Sequence, residues 1–167
     1  MGKSMSKPKK ASETGRSPMD AALRFLGGRA RTVRETERHL DACEYGEVEV
    51  YETVERLKEL GLLNDQSYAE DFVRTRLATK PVSRAHLREQ LLMHEADADA
   101  IEQALNQVDE ETQQRTAVAI AEKYARQYAR LPEDARNEMV VRRLLARGYS
   151  YEEARAALRC TKEEQTE

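Results

Sequence analysis

The run ERLKELGLLNDQSYAEDFVRTRL, residues 55–77, holds two helical signals and the joint between them. Leu57 closes an apolar stripe that begins at Val50 and passes through Val54, the spacing of one helix face. Gly61 ends that helix, as glycine does best where the backbone turns left-handed. Leu62-Leu63 then lead to the polar pair Asn64-Asp65, and Asp65 opens a second helix. Tyr68, Ala69, Phe72, Val73 and Leu77 form its stripe and read as core. A fully buried Phe72 would lose about 3–5 kcal/mol on truncation to Ala. Lys80-Pro81 breaks this helix, because proline lacks the amide a continuing helix needs.

The same grammar extends in both directions. Upstream, Ser17-Pro18 starts a helix with Leu23 and Leu26 on one face, stopped by Gly27-Gly28. Thr32 with Glu35 three residues on is a capping box that opens a helix through Leu40, and Gly46 interrupts. Downstream, Ser83 caps a helix carrying Leu87 and Leu91, and Asp97 or Asp99 starts another with Ile101, Leu105 and Val108. A long helix from about residue 110 to 128 carries Val118, Ala121 and Ala125. Pro132 suits the first turn of the next, which carries Met139, Val140 and Leu144 and stops at Gly148. Ser150 with Glu153 is a second capping box, before a last helix with Ala154 and Leu158.

Counting turns this into a repeat. From Leu40, apolar residues lie at +10, +14 and +17 (Val50, Val54, Leu57); from Leu91 the same offsets give Ile101, Leu105 and Val108; from Leu144 the first two give Ala154 and Leu158. Thr32 and Ser83 each stand eight residues before their anchor leucine. A recurrence of this length marks stacked units that each contact mainly their neighbours. The expected fold is all-α: an elongated array of three tandem three-helix repeats over residues 18–63, 64–109 and 110–160. A disordered basic tail is expected over 1–17 and a frayed acidic one over 161–167.

Composition agrees. In 167 residues there is no Trp, only 5% aromatic and 35% charged residues, which suits thin helical layers better than a thick core. Cys43 and Cys160 lie far apart with no metal-ligand spacing, so neither a disulfide framework nor a zinc site is expected. No apolar run reaches membrane-spanning length and no signal peptide is evident, so a cytoplasmic setting is expected. The net charge of −3 averages polarised segments. Residues 1–19 hold Lys3, Lys7, Lys9, Lys10 and Arg16 against Glu13; residues 74–94 hold Arg74, Arg76, Lys80, Arg84 and Arg88 against Glu89; residues 95–111 hold seven acids and no base. Basic segments can meet phosphates or acidic surfaces, and acidic ones repel nucleic acid.

The opening run, with its helix ending in Gly, two apolar residues, polar pair, then Tyr-Ala, Phe-Val and Arg, resembles the strongest signature of the RecX family of RecA regulators. AALRFLGGRARTVRETERHL (21–40) resembles the family's first unit, SRAHLREQL (83–91) and IEQAL (101–105) its second, and RRLLARGYSYEEARAAL (142–158) its last. The chain departs from the pattern at Lys80-Pro81-Val82, where Lys-Gly is usual, at Met93-His94-Glu95, and in the acidic turn 41–46. The resemblance implies a non-enzymatic modulator, monomeric and without cofactor, that lies in the groove of the RecA–DNA filament and lowers recombinase activity. It implies a filament- and DNA-binding surface drawn from Arg29, Arg31, Arg74, Arg76, Lys80, Arg84, Arg88, Arg126, Arg142 and Arg143.

The residues themselves offer no catalytic pattern: no phosphate-cradling GxxxxGK[ST], no GxSxG, no HExxH, and three scattered histidines. Arg84 and Arg88, four apart on one helix face, read either as a phosphate-binding ridge or as a solvated face. Tyr124 and Tyr128 read as helix-packing residues or as base-stacking ones. Two alternatives remain at this level: a helix-turn-helix DNA-binding protein and a helical protein–protein scaffold. Against the first, the candidate recognition helices, 47–60 and 97–108, are acidic and would repel a DNA backbone.

Overall fold

The structure is a computed structural model that describes residues 15–163. The described residues are helical, with no strand among them: α1 (Pro18–Leu26), α2 (Val33–Ala42), α3 (Glu47–Glu59), α4 (Asp65–Thr79), α5 (Arg84–Met93), α6 (Ala98–Leu105), α7 (Glu110–Gln127), α8 (Glu133–Leu145) and α9 (Tyr151–Glu163). They fall into two compact units. One holds α1–α3, the first residues of α4 through Tyr68, and the turn His94–Ala96; the other holds α4 from Ala69, α5, and α6 to α9. Most of the expected basic tail, with Lys3, Lys7, Lys9 and Lys10, lies outside the described residues, as do residues 164–167.

In the first unit α1, α2 and α3 pack on one another around Ala22, Leu40, Tyr45, Val50, Val54, Leu57 and Leu63. Burying such side chains contributes roughly 1.5–3 kcal/mol each. The Thr32–Glu35 capping box forms: the Thr32 amide donates to Glu35 at 3.2 Å and the Glu35 amide to the Thr32 hydroxyl at 3.1 Å. In the second unit α5 packs on α6, with Leu87, Leu91, Ile101 and Leu105 buried, and α7–α9 enclose Ile120, Ala121, Val140, Leu144, Ala154 and Leu158. The Ser150–Glu153 box also forms, at 2.7 and 3.2 Å. Asp97, and not Asp99, caps α6.

Several expectations are refined. Gly46 falls between α2 and α3, as expected of an interruption. The left-handed residue there is Glu44 (φ 64°), and Gly46 is the N-cap of α3. Glu44 stands four residues after Leu40; at the same offset from Leu91 and Leu144 stand Glu95 (φ 53°) and Gly148 (φ 84°). Within the expected α4 core, Ala69 and Val73 are buried, but Tyr68 and Phe72 are only half-buried. Phe72→Ala should therefore cost less than the full-burial figure. The end of the chain does not fray at residue 161: α9 runs to Glu163, and Thr161 is buried with its hydroxyl donating to the Leu158 carbonyl at 2.8 Å.

The repeat is visible in hydrogen bonds. Thr32 donates its hydroxyl to the His94 carbonyl (2.7 Å), and the next residue's amide, Val33, donates to Asp65 Oδ1 (2.9 Å). Ser83 donates its hydroxyl to the Gly148 carbonyl (2.7 Å), and the Arg84 amide donates to Gln113 Oε1 (2.7 Å). Each N-cap hydroxyl thus ties the start of one repeat's second helix to the turn that follows the second helix of the next.

Gly148 sits tightly in that joint. A Cβ there would lie 2.6 Å from Ser83 Oγ and 2.7 Å from His86 Cβ, whereas one at Gly61 (φ 71°) meets nothing within 4 Å. Gly61→Ala should cost about 1–2 kcal/mol, from the left-handed backbone alone. Gly148→Ala should cost about 1–3 kcal/mol more, because overpacking is added. Denaturant unfolding of the two variants measures the difference.

Candidate functional site

The basic residues of α4 and α5 separate by what already holds them. Arg74 is exposed and pairs with Asp71 one turn back. Arg76 is half-buried, with Nε donating to Gln90 at 2.9 Å and the guanidinium 5.7 Å from the Phe72 ring centre. Arg88 grips Glu102 of α6 with two parallel bonds of 2.8 and 2.9 Å. The hydrogen bond from Arg88 lowers the Glu102 carboxyl and raises the guanidinium in return. Lys80, in the α4–α5 turn, is exposed and makes no ion pair among the described residues. Arg84, the first residue of α5, makes none either, but its Nε is buried without a hydrogen-bond partner. The expected Arg84–Arg88 ridge is thus one half-buried arginine beside one already neutralised.

Arg84 borders a cleft of about 420 Å³ that Gln113, Tyr149 and Glu153 also line. The Tyr149 hydroxyl is likewise buried without a partner, and burial pushes that phenol up, so it stays a neutral donor. Burial disfavours the Glu153 charge, but hydrogen bonds from the Ser150 amide and from Gln113 outweigh it and hold the carboxyl below its ordinary value.

The α7–α8 set is an interlocked group. Tyr124 and Tyr128 stack with ring centres 6.1 Å apart. Arg143 donates to the Tyr128 hydroxyl at 2.9 Å and Arg147 to that of Tyr124 at 3.0 Å. The bond from Arg147 lowers the Tyr124 phenol. Arg147 also donates to the Pro81 carbonyl at 2.7 Å. Two roles meet here: the tyrosines brace α8, and Arg143 stays exposed over the Tyr124 ring at 5.5 Å. Arg142 and Arg126 are exposed, each with a carboxylate one turn away (Glu138 at 2.8 Å, Glu122 at 3.9 Å). In the first unit Arg29 is exposed, while Arg31 lies 4.2 Å over the Phe25 ring, which stacks on His39. Arg147 is absent from the expected surface, and no local pattern could have marked it, since its carbonyl partner is 66 residues away.

No group of His, Cys, Asp and Glu that could hold a metal occurs among the described residues. The ten expected site residues are of two kinds: half-buried ones (Arg31, Arg76, Arg84, Arg88) and exposed ones (Arg29, Arg74, Lys80, Arg126, Arg142, Arg143).

Two descriptions match in chain order: the first three-helix domain of RecX over residues 19–57, and the second over 64–105. A Regulatory protein RecX of Streptomyces coelicolor is 30% identical over 159 residues, covering 93% of this chain and 85% of the relative. One from Corynebacterium efficiens is 34% identical over 113 residues. The chain spans 54% of that relative's length and 60% of that of a Chlorobium phaeobacteroides relative. Among solved structures, RecX from Lactobacillus salivarius superposes with a TM-score of 0.75 at 28% identity, covering 87% of this chain and 94% of that one.

The braced and exposed arginines should separate on mutation. Arg147→Ala strands the Pro81 carbonyl and the Tyr124 hydroxyl and should cost about 1–3 kcal/mol. Arg142→Ala removes an exposed one-turn pair worth about 0.3–0.5 kcal/mol. Thermal unfolding of both variants against wild type measures the contrast.

Proposed function

The chain belongs to the RecX family, and from that membership we propose that it is a non-enzymatic regulator that binds the RecA–DNA filament and lowers recombinase activity in repair and recombination. The observation that carries the reading is the ordered match of both three-helix domains, with a relative matched over 93% of the chain. The exposed cations of α4, its following turn and α8 supply charges that a phosphate backbone attracts. The proposed partners are the RecA filament and the single- or double-stranded DNA within it. The protein acts as a monomer in the cytoplasm and needs no cofactor. No described helix is long and apolar enough to cross a membrane. A helix-turn-helix reading is disfavoured by α3 and α6, whose exposed charged residues are mostly acidic.

The test is the ATP hydrolysis rate of RecA on single-stranded DNA, titrated with this protein at fixed salt. Dose-dependent inhibition is expected, absent with an unrelated helical protein of similar charge. No effect at several-fold excess over RecA would sink the reading. The double reversal Arg74→Glu with Lys80→Glu, both on exposed side chains, should weaken inhibition while helicity stays unchanged. If each contacts a phosphate, the log-affinity against log-salt slope should fall by about 1.4–1.8.

A further inference from the structure

The three repeats allow each position to be compared with its equivalents. Eight and eleven residues after the anchor leucine, the second repeat has Asp99 and Glu102 and the third has Glu152 and Arg155. All four are exposed and none is apolar, Glu102 being paired with Arg88. The first repeat instead has Val48 and Tyr51, exposed by 69% and 66%. They lie one turn apart on α3, on the side opposite its buried stripe of Val50, Thr53, Val54 and Leu57.

Carboxylates flank them on the helix: Glu47 and Glu52 are exposed and make no ion pair among the described residues. The nearby cations are already occupied: Lys58 holds Glu55 and Arg56 holds Glu59, each at 2.8 Å. The face is therefore an apolar centre in a net-negative rim, arranged as protein interfaces are, with an aromatic anchor inside and charge outside. Its charge sets the partner class. Phosphates would be repelled, whereas a protein surface with an apolar recess flanked by Lys and Arg would be complementary.

We propose that the α3 face centred on Val48 and Tyr51 docks on a basic, apolar-centred surface of the RecA protein, and not on DNA. This rests on the filament reading above and adds a division of labour: α3 meets protein, while the exposed cations of α4 and α8 meet phosphate.

The variant Val48→Asp with Tyr51→Glu installs the residue types that the second repeat carries at these positions, so the fold should accept it. A milder pair, Val48→Thr with Tyr51→Gln, guards against misfolding, and equal melting curves to wild type are the control. Three quantities are compared with wild type: inhibition of RecA ATP hydrolysis on single-stranded DNA, capture of purified RecA, and affinity for a fluorescent oligonucleotide alone. Both variants should need at least about tenfold more protein for half-inhibition, the loss expected when an interface anchor goes. They should capture less RecA and bind the oligonucleotide unchanged. Inhibition equal to wild type, or a matching loss of oligonucleotide affinity, would overturn the α3 assignment. Failure of wild type itself to inhibit would instead strike the filament reading.

Discussion

One hydroxyl per joint does two jobs, and the repeat depends on it. Thr32 Oγ1 accepts the amide of Glu35 inside its own helix and donates to the His94 carbonyl; Ser83 Oγ accepts the amide of His86 and donates to the Gly148 carbonyl. An N-cap must accept, and a joint to a carbonyl must donate. Serine and threonine do both through one short group, whereas an ionised Asp could only accept. Both residues are almost completely buried, so a missing partner would cost about 1–3 kcal/mol. Sequence, cap and tertiary joint are thus one constraint.

That joint decides which cations are free. Ser83 fixes the start of α5 against the Arg147–Gly148 turn, with its own amide donating to the Arg147 carbonyl at 2.9 Å. Arg84, the next residue, is drawn in with it, and Arg147 is spent on Pro81 and Tyr124. Lys80, three residues before Ser83, stays outside. A run of basic residues that looks uniform along the chain is therefore divided by burial into half-buried cations and exposed ones.

Much of the fold was legible because its signals are local. Caps such as Thr32–Glu35 and Ser150–Glu153 span three residues, and apolar stripes such as Val50–Val54–Leu57 span two turns. The left-handed exit of α2 carries no glycine signal, because Glu44 adopts φ 64°. The repeat offset is what marks it, since Glu44, Glu95 and Gly148 share it. The candidate surface was less legible. Charge can be read from sequence, but its neutralisation by a partner on another helix cannot, as with Arg88 and Glu102, 14 residues apart. The half-burial of Phe72 was equally hidden, because a stripe gives direction and not depth.

The third repeat departs from this logic. Eight residues before Leu144, where Thr32 and Ser83 stand in the earlier repeats, is Arg136. It is no cap: its amide donates to the Pro132 carbonyl at 2.9 Å inside α8, which begins at Glu133. Starting a turn earlier puts a helical, hydrogen-bonded residue where the other two repeats place the joint hydroxyl. Agreement between repeats therefore reports what holds the fold. Disagreement, as at Arg136 or at Val48 and Tyr51, reports where the chain does something its fold does not require.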